Sequence, residues 1–311
     1  MLITPQVKET LAAWLQAAQP IGAKLQGKSE LSWEKIRHTY MNRLDQLFPA
    51  PTGVSFSTVD MGGISAMLVT PDELEGNKVL FYIHGGGYVH GGVEGYRGLA
   101  ARYAKLLKAK VYVPDYRQAP EFPFPFPIED TFTAYVSLIN SGIDPKTVVI
   151  SGDSAGGAMV VTIMRKAKLA GVSLPVAGVA ISPWADLTHS GRSAISREGI
   201  DPICSINFLN QLARNFLGNT LPTDPDVSPI FADVRGLSPI LIQVGENEVM
   251  LSDAIRLAGH LGENRVRVSL EVWPSMFHVW HLFYEILPAA EKALNNASTF
   301  LNDALLEAKI A

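Results

Sequence analysis

One serine in the chain lies in a setting that could make it a nucleophile. Ser154 is the centre of the sequence Gly-Asp-Ser-Ala-Gly at 152–156, between an apolar run at 148–150 and a helical pattern over 155–169. A G-x-S-x-G sequence between a strand and a helix places serine on a sharp turn, with its hydroxyl exposed for attack on a carbonyl carbon. The sequence therefore predicts a catalytic serine; the alternative is a glycine-rich turn with an idle serine.

A second glycine-rich segment, His-Gly-Gly-Gly at 84–87, also follows a short apolar run. Glycines leave backbone N–H groups unobstructed, and a pair of such groups can hold the oxyanion of a tetrahedral intermediate. We expect Gly86 and Gly87 to donate to this oxyanion together with Ala155, and His84 to fix the loop. A phosphate-binding loop is the alternative, but neither glycine pattern typical of phosphate loops is present and no lysine or arginine cluster adjoins the segment.

The base that such a serine needs is expected among the seven histidines. Histidine is the side chain suited to proton transfer near neutral pH. In proteins with this serine turn the acid follows the serine in the chain and the histidine comes last. His278, just after a predicted strand at 266–272, fits this order. His281 is the alternative and is predicted to lie at the start of a helix.

The acid should follow the predicted strand at 240–244, where no aspartate stands at the expected place. The candidates are Glu246, Glu248 and Asp253. Asn247 is also possible, although a neutral amide supports an imidazolium poorly. We prefer Glu248, but the residues alone leave the other candidates open.

Composition excludes several classes of function. The chain has 311 residues, a formal net charge of −4 and 47% hydrophobic residues, which are ordinary values for a globular protein. A net charge of this size and sign gives no indication that the protein binds nucleic acid or an anionic membrane. The single cysteine, Cys204, excludes an intramolecular disulfide. We expect a cytoplasmic protein with a small-molecule substrate and with no metal or cofactor.

The periodicity of apolar residues predicts alternating strands and helices. A helical region at 5–48 precedes a hairpin at 54–69, and a 185–235 segment without a strand interrupts the later alternation. Buried-looking strands that alternate with helices indicate a mostly parallel sheet with helices on both faces. The predicted strands after the hairpin are 79–83, 110–114, 147–151, 176–182, 240–244 and 266–272, and the predicted helices after it are 97–108, 128–141, 155–169, 207–217, 252–261 and 286–308.

Three motifs together resemble the bacterial hormone-sensitive-lipase-like esterases: the segments at 84–87 and 152–157, and Asp-Tyr-Arg-Gln-Ala-Pro-Glu at 115–121. The resemblance covers nearly the whole chain, most clearly from residue 54. It implies an α/β-hydrolase fold with an eight-stranded sheet and a helical cap. Counting the family's acid segment onto this chain puts Glu248 at the acid position, where the family generally has aspartate. Gln118 replaces the usual leucine.

The resemblance also implies roles for the remaining segments. Residues 1–50 and the 185–235 insertion would form a cap on a catalytic domain at 51–311. Aromatic candidates for the substrate pocket are Tyr88, Trp184, Phe208 and Phe216. Arg117, Glu121 and Asp130 are expected to form a buried charged network that fixes the turn near the glycine loop.

The function expected from these features is hydrolysis of short- to medium-chain acyl esters through an acyl-enzyme on Ser154, with His278 and Glu248. Hydrolysis of lactones by the same groups is the alternative, and amidase activity is a closer variant. A non-catalytic ligand receptor on the same fold is the rival from another class. The resemblance further suggests a homodimer paired through the strand near 266–272.

Overall fold

An eight-stranded sheet forms the centre of the molecule. The computed structural model describes residues 3–310, so the first two residues of the predicted cap segment and the last residue of the predicted catalytic domain lie outside it. The strands are β1 (Val54–Asp60), β2 (Ser65–Pro71), β3 (Val79–Ile83), β4 (Lys110–Pro114), β5 (Val148–Asp153), β6 (Gly178–Ile181), β7 (Ile240–Gly245) and β8 (Val268–Trp273).

The sheet order is β1-β2-β4-β3-β5-β6-β7-β8. The pairs β1–β2 and β2–β4 are antiparallel, and all the later pairs are parallel. The predicted eight-stranded, mostly parallel sheet is confirmed. Because β3 and β5 to β8 run in the same direction, the loops that follow them all leave at one edge of the sheet, where ligands of open α/β sheets bind.

Nine α-helices lie within residues 3–310. They are α1 (Pro5–Leu25), α2 (Trp33–Leu47), α3 (Arg97–Leu107), α4 (Phe126–Asn140), α5 (Ala155–Leu169), α6 (Ser193–Ser196), α7 (Ile206–Leu217), α8 (Leu251–Glu263) and α9 (Pro288–Ile310). None of these helices is both long enough and apolar enough to cross a membrane.

The predicted helical region at 5–48 consists of two helices, α1 and α2. Thr4 caps α1 by accepting from the Val7 N–H, and Ser32 caps α2 by accepting from the Lys35 N–H. Between the helices the chain turns at Gly27, whose φ of 70° is one that glycine adopts without strain. The buried stripe of each helix packs on the body of the molecule and on the other helix.

The central strands are buried on both faces. Every residue of β3 and of β5 is buried, as expected for parallel strands that are covered by helices on each side. The segment at 185–235 contains α6, α7 and a short 3-10 helix, and no strand. It is therefore an insertion in the connection between β6 and β7.

Candidate active site

The turn that carries Ser154 requires glycines around it. Ser154 has φ 56° and ψ −120°, a strained conformation at the junction of β5 and α5. A Cβ on Gly152 would lie 2.5 Å from the Gly156 carbonyl oxygen, and a Cβ on Gly156 would collide with the carbonyl oxygen of Ile83. The small residues therefore let α5 approach the sheet closely enough to hold the serine at the end of the strand.

Ser154, His278 and Glu248 form one hydrogen-bonded chain. His278 Nε2 lies 3.0 Å from Ser154 Oγ, and His278 Nδ1 lies 2.9 Å from Glu248 Oε2. The three side chains come from the loops after β5, β8 and β7, which meet at the carboxyl edge of the sheet. All three residues are buried. The structure thus brings together the three residues predicted to form a catalytic triad.

The carboxylate of Glu248 is held by donors on its other oxygen. Oε1 accepts from Ser182 Oγ at 2.7 Å and from the Gly245 N–H at 2.6 Å. Ser182 also accepts from the Val279 N–H, next to His278. Ser182 follows β6 at the same edge of the sheet, and that position was the one signal in the sequence that could have singled it out.

The alternative acids and bases have other partners. Glu246 accepts from the Ser275 N–H, Asn247 donates to the Ser275 carbonyl, and Asp253 accepts from the Asp186 N–H. His281 bonds to Gln243. None of these four residues forms a hydrogen bond with His278 in the described part of the chain.

Electrostatics favour a His278 that readily takes up a proton. Burial opposes the charged imidazolium, but the hydrogen bond and the negative charge of Glu248, with the charges of Asp201 and Asp153, outweigh it, so the pKa of His278 is raised above its ordinary value. The opposite holds for His281, where burial lowers the pKa to about 3. Of these two histidines, only His278 combines contact with the serine and a pKa suited to a base.

The glycine loop after β3 presents backbone donors to the same place. Gly86 and Gly87 have φ values of 111° and 57°, in the region that favours glycine. Neither N–H group donates to another described residue. Ala155 is the first residue of α5, where a backbone N–H has no partner within the helix. These three amides are available to an oxygen that lies near Ser154.

Two buried groups hold this loop. The His84 ring stacks on Tyr116 with a centroid distance of 4.2 Å, and its Nδ1–H donates to the Gly85 carbonyl. Burial lowers the pKa of His84 to about 4, so the ring is neutral. Asp153 accepts from the Gly85 N–H at 3.0 Å, which ties the loop directly to the residue before the serine.

A cavity of about 230 Å³ opens over Ser154. Its wall includes Trp184 and Phe208, as predicted, together with parts of α1, α2 and α7 that were not singled out from the sequence. Trp14 and Tyr40 are in this wall and are joined by a 2.6 Å hydrogen bond from Trp14 Nε1 to the Tyr40 hydroxyl.

The prediction that Tyr88 and Phe216 line the pocket was wrong. Neither residue belongs to the wall of the cavity. Their rings stack on each other with centroids 3.7 Å apart and planes 8° apart, and both side chains are buried. Each ring thus covers the face of the other, and the pair joins α7 to the loop after β3.

The predicted charged network is also different in the structure. Arg117 pairs with the buried Asp130 through two hydrogen bonds of 2.8 and 2.6 Å. Glu121 pairs instead with Arg37 on α2, and its side chain is 41% exposed. Arg117 is 45% exposed, so only Asp130 of the three is buried. Arg117, Glu121 and Asp130 were expected to form one cluster because they are close in sequence. Arg37, the partner that Glu121 has instead, is remote from them in the chain.

The cavity has no grouping suited to a metal ion. Over residues 3–310, no three His, Cys, Asp or Glu side chains are close enough together to hold one. Cys204 lies in the wall, where burial raises the pKa of its thiol well above the ordinary value. The thiol is therefore uncharged and poorly nucleophilic.

Comparisons with known proteins agree with this arrangement. A family described as having the α/β hydrolase fold matches residues 80–282. An acetyl-hydrolase of Streptomyces hygroscopicus is 38% identical, over 79% of this chain and 82% of its own. An esterase of Acinetobacter venetianus is 30% identical, over 84% of this chain and 86% of its own. A crystal structure of an esterase from the bacterial hormone-sensitive lipase family superposes with a TM-score of 0.90 at 32% identity, covering 98% of this chain and all of the other.

The chain belongs to the α/β-hydrolase fold family and, within it, to the bacterial hormone-sensitive-lipase-like group. It is a carboxylesterase of that group.

Proposed function

We propose that this chain hydrolyses short- to medium-chain acyl esters in two steps, through an acyl-enzyme on Ser154. The observation that carries the proposal is the hydrogen-bonded chain from Ser154 through His278 to Glu248, with heavy-atom distances of 3.0 and 2.9 Å. Such distances are those of a nucleophile, a base and the group that orients the base.

In the first step, Ser154 Oγ attacks the ester carbonyl carbon while His278 Nε2 accepts the serine proton. The carbonyl oxygen becomes an oxyanion, which the Gly86, Gly87 and Ala155 N–H groups stabilise. Collapse of the tetrahedral intermediate breaks the bond to the alcohol oxygen, and His278 gives its proton to that oxygen. The alcohol leaves, and the acyl group stays on the serine.

In the second step, water replaces the alcohol. His278 Nε2 takes a proton from the water as its oxygen attacks the acyl carbonyl, and the same amides hold the second oxyanion. Collapse returns the proton to Ser154 Oγ and releases the carboxylic acid. Glu248 keeps Nδ1 protonated in both steps, so that Nε2 is free to accept.

The size of the cavity supports a small substrate. A volume of about 230 Å³ lies below the usual range of ligand sites, which begins near 300 Å³. The wall is largely apolar, with Trp184, Phe208 and Leu212 near the serine. An acyl chain of a few carbons fits such a space better than the long chains of a triglyceride.

The proposal is tested with p-nitrophenyl butyrate and the variant Ser154→Ala. We expect kcat to fall by about 10⁶-fold, to the background rate, because the nucleophile is removed. The matched control is Ser151→Ala, a buried serine of the same strand that contacts Tyr103 and not His278. Turnover by Ser154→Ala at the wild-type rate would refute the mechanism.

The same preparations separate the alternatives. A fluorophosphonate probe should label the wild type at Ser154 and leave Ser154→Ala unlabelled, whereas a non-catalytic receptor would not react. Turnover of butyrate esters of increasing chain length, of one lactone and of a p-nitrophenyl amide then ranks the substrate classes. A lactone or an amide turned over faster than every ester would contradict the proposed substrate class.

A further inference from the structure

A carboxylate outside the proposed triad joins two segments that border the active site. Asp201 lies between α6 and α7 and is 7% exposed. Its Oδ1 accepts from the Ile203 and Cys204 N–H groups at 2.9 and 3.1 Å, and its Oδ2 accepts from the Val249 N–H at 3.0 Å. One side chain thus binds its own segment with one oxygen and the loop after β7 with the other.

Both of these segments take part in the site. Ile203 and Cys204 are in the wall of the cavity over Ser154. Val249 is the residue after Glu248, so its N–H belongs to the loop that presents the carboxylate to His278. The position of Asp201 therefore couples the cavity wall to the acid of the proposed triad.

Further hydrogen bonds hold the same two segments together. Ser193 Oγ donates to the Val249 carbonyl at 2.6 Å and accepts from the Ser252 N–H at 2.8 Å. Arg197 Nε donates to the Glu246 carbonyl at 2.8 Å. The segment at 193–204 thus follows the acid loop along several residues, and Asp201 adds a buried negative charge to this contact.

The charge of Asp201 also acts on the base. The carboxylates of Glu248, Asp201 and Asp153 all favour the protonated form of His278. The other titratable groups that face His278 are His90 and His281. Burial lowers the pKa of these two histidines to about 4 and about 3, so they are neutral near pH 7. Burial also raises the pKa of Asp201, and it raises that of Asp153 to about 6, so both carboxylates act on His278 only above their own raised pKa values.

We propose that Asp201 is a positioning residue for the reaction: it holds the Glu248 loop against the cavity wall and adds a second negative charge behind His278. The inference rests on the proposed function, because it gives Asp201 a role in positioning the groups of the proposed triad, Ser154, His278 and Glu248. In Asp201→Asn an amide oxygen can still accept from Ile203 and Cys204, but the amide nitrogen then faces the Val249 N–H, and the charge is lost.

The experiment compares Asp201→Asn, Asp201→Glu and the wild type in p-nitrophenyl butyrate hydrolysis as a function of pH. The matched control is Asp224→Asn, because Asp224 lies in the same insertion and accepts from the Asp226 N–H but contacts no residue of the acid loop. Hydrogen–deuterium exchange of the peptide covering 246–252 reports directly on the position of the loop. Ser154→Ala is measured in parallel and tests the proposed function separately.

For Asp201→Asn we expect kcat to fall by about tenfold, because small displacements of catalytic groups are costly. The acidic limb of its kcat/KM profile should move to lower pH, and exchange at 246–252 should become faster. Asp201→Glu keeps the charge but moves the oxygens by one methylene, so its kcat should fall while its acidic limb stays near that of the wild type. Asp224→Asn should match the wild type in all three measurements.

Two results would overturn the inference. One is an Asp201→Asn with wild-type kcat and pH profile. The other is a lowered kcat with an unchanged acidic limb and unchanged exchange at 246–252, which is what a merely structural residue would give. If Asp201→Asn does not fold, Asp201→Glu decides. Wild-type kcat or unchanged exchange at 246–252 in that variant contradicts the inference, whereas a lowered kcat with a preserved acidic limb and faster exchange at 246–252 supports it. Loss of activity in Ser154→Ala, in any of these cases, leaves the proposed function standing.

Discussion

The two oxygens of Glu248 have different partners, and this difference determines what an amide would do in the same place. Oε1 accepts from two donors, Ser182 Oγ and the Gly245 N–H, whereas Oε2 faces His278 Nδ1. In Glu248→Gln the amide oxygen should stay with the two donors, so the amide nitrogen faces Nδ1. The histidine is then forced into the tautomer with its proton on Nε2, where it cannot accept from Ser154.

We therefore expect Glu248→Gln to lower kcat by about 10⁴-fold, the size of the loss when a triad aspartate becomes asparagine. Steady-state hydrolysis of p-nitrophenyl butyrate measures the loss. Glu246→Gln is the matched control, since Glu246 is exposed and accepts from the Ser275 N–H instead. A Glu248→Gln variant within tenfold of the wild type would mean that another group orients His278.

The pH dependence of the reaction follows from the raised pKa of His278. Burial disfavours the imidazolium, but Glu248, together with Asp201 and Asp153, more than compensates, so the folded protein binds this proton more tightly than a free imidazole does. Because the base must be neutral to accept the serine proton, activity is lost as the pH falls through this raised pKa. We expect the acidic limb of kcat/KM to have its midpoint above about 6.5, the ordinary value for histidine. A midpoint below that value would show that the carboxylates around the ring do not outweigh its burial.

At the scale of single residues, the sequence was informative where a motif demands a particular backbone. The turn around Ser154 needs glycines because a Cβ at Gly152 or Gly156 meets carbonyl oxygens, and that need is visible as a pattern. Glu248 could be selected only by counting a family segment onto the chain. Asp201 and Ser182 have no such pattern, because their partners are backbone groups and side chains far away in the sequence.

Among the elements, α5 shows most directly how packing positions the site. Gly156 faces β3, where an added Cβ would collide with the Ile83 carbonyl oxygen, which belongs to the backbone and cannot turn away. We expect Gly156→Ala to lower the free energy of unfolding by about 3 kcal/mol, at the upper end of the cost of overpacking a core. The urea midpoint of the purified variant measures this loss.

A second glycine inside a helix provides the matched control. Gly259 lies in α8 on an exposed face, and apart from its chain neighbours and the backbone of its own helix, no described atom lies within 4 Å of where its Cβ would be. Gly259→Ala should therefore raise the free energy of unfolding by up to about 1 kcal/mol, since alanine is the better helix former. Changes of the same sign in both variants would contradict the assignment of a packing role to Gly156.

The elements themselves were largely predictable, and their contacts were not. Each predicted strand is present, with ends that differ by at most two residues, because alternating and continuous apolar runs follow directly from burial. Tyr88 and Phe216 were assigned wrongly because aromatic residues in a cap and in a loop look alike whether they face a ligand or each other. The boundary between α1 and α2 was not predicted, although Gly27 and Ser32 are typical turn and cap residues.

Over the whole molecule, Arg37 is the main polar connection between the N-terminal helices and the loops around Ser154. From α2 its guanidinium donates to the Val89 carbonyl and the Ala119 carbonyl, both at 2.7 Å, and it pairs with Glu121. Val89 closes the glycine loop, since its own N–H donates to the Gly86 carbonyl. The same side chain thus anchors a wall of the cavity and one end of the loop that presents the oxyanion donors.

Arg37→Ala should leave both carbonyls without their charged donor and lower the free energy of unfolding by about 2 kcal/mol. We also expect KM for p-nitrophenyl butyrate to rise several-fold, because α1 and α2 carry Trp14 and Tyr40 into the cavity wall.

Glu121→Ala should cost less, about 0.5 kcal/mol, since it removes a partly exposed ion pair but keeps both carbonyl contacts. The control on the same helix is Arg43→Ala, an exposed arginine that bonds only to Gln46 among the described residues. Equal losses in Arg37→Ala and Glu121→Ala would place the connection in the ion pair, whereas the geometry places it in the carbonyls.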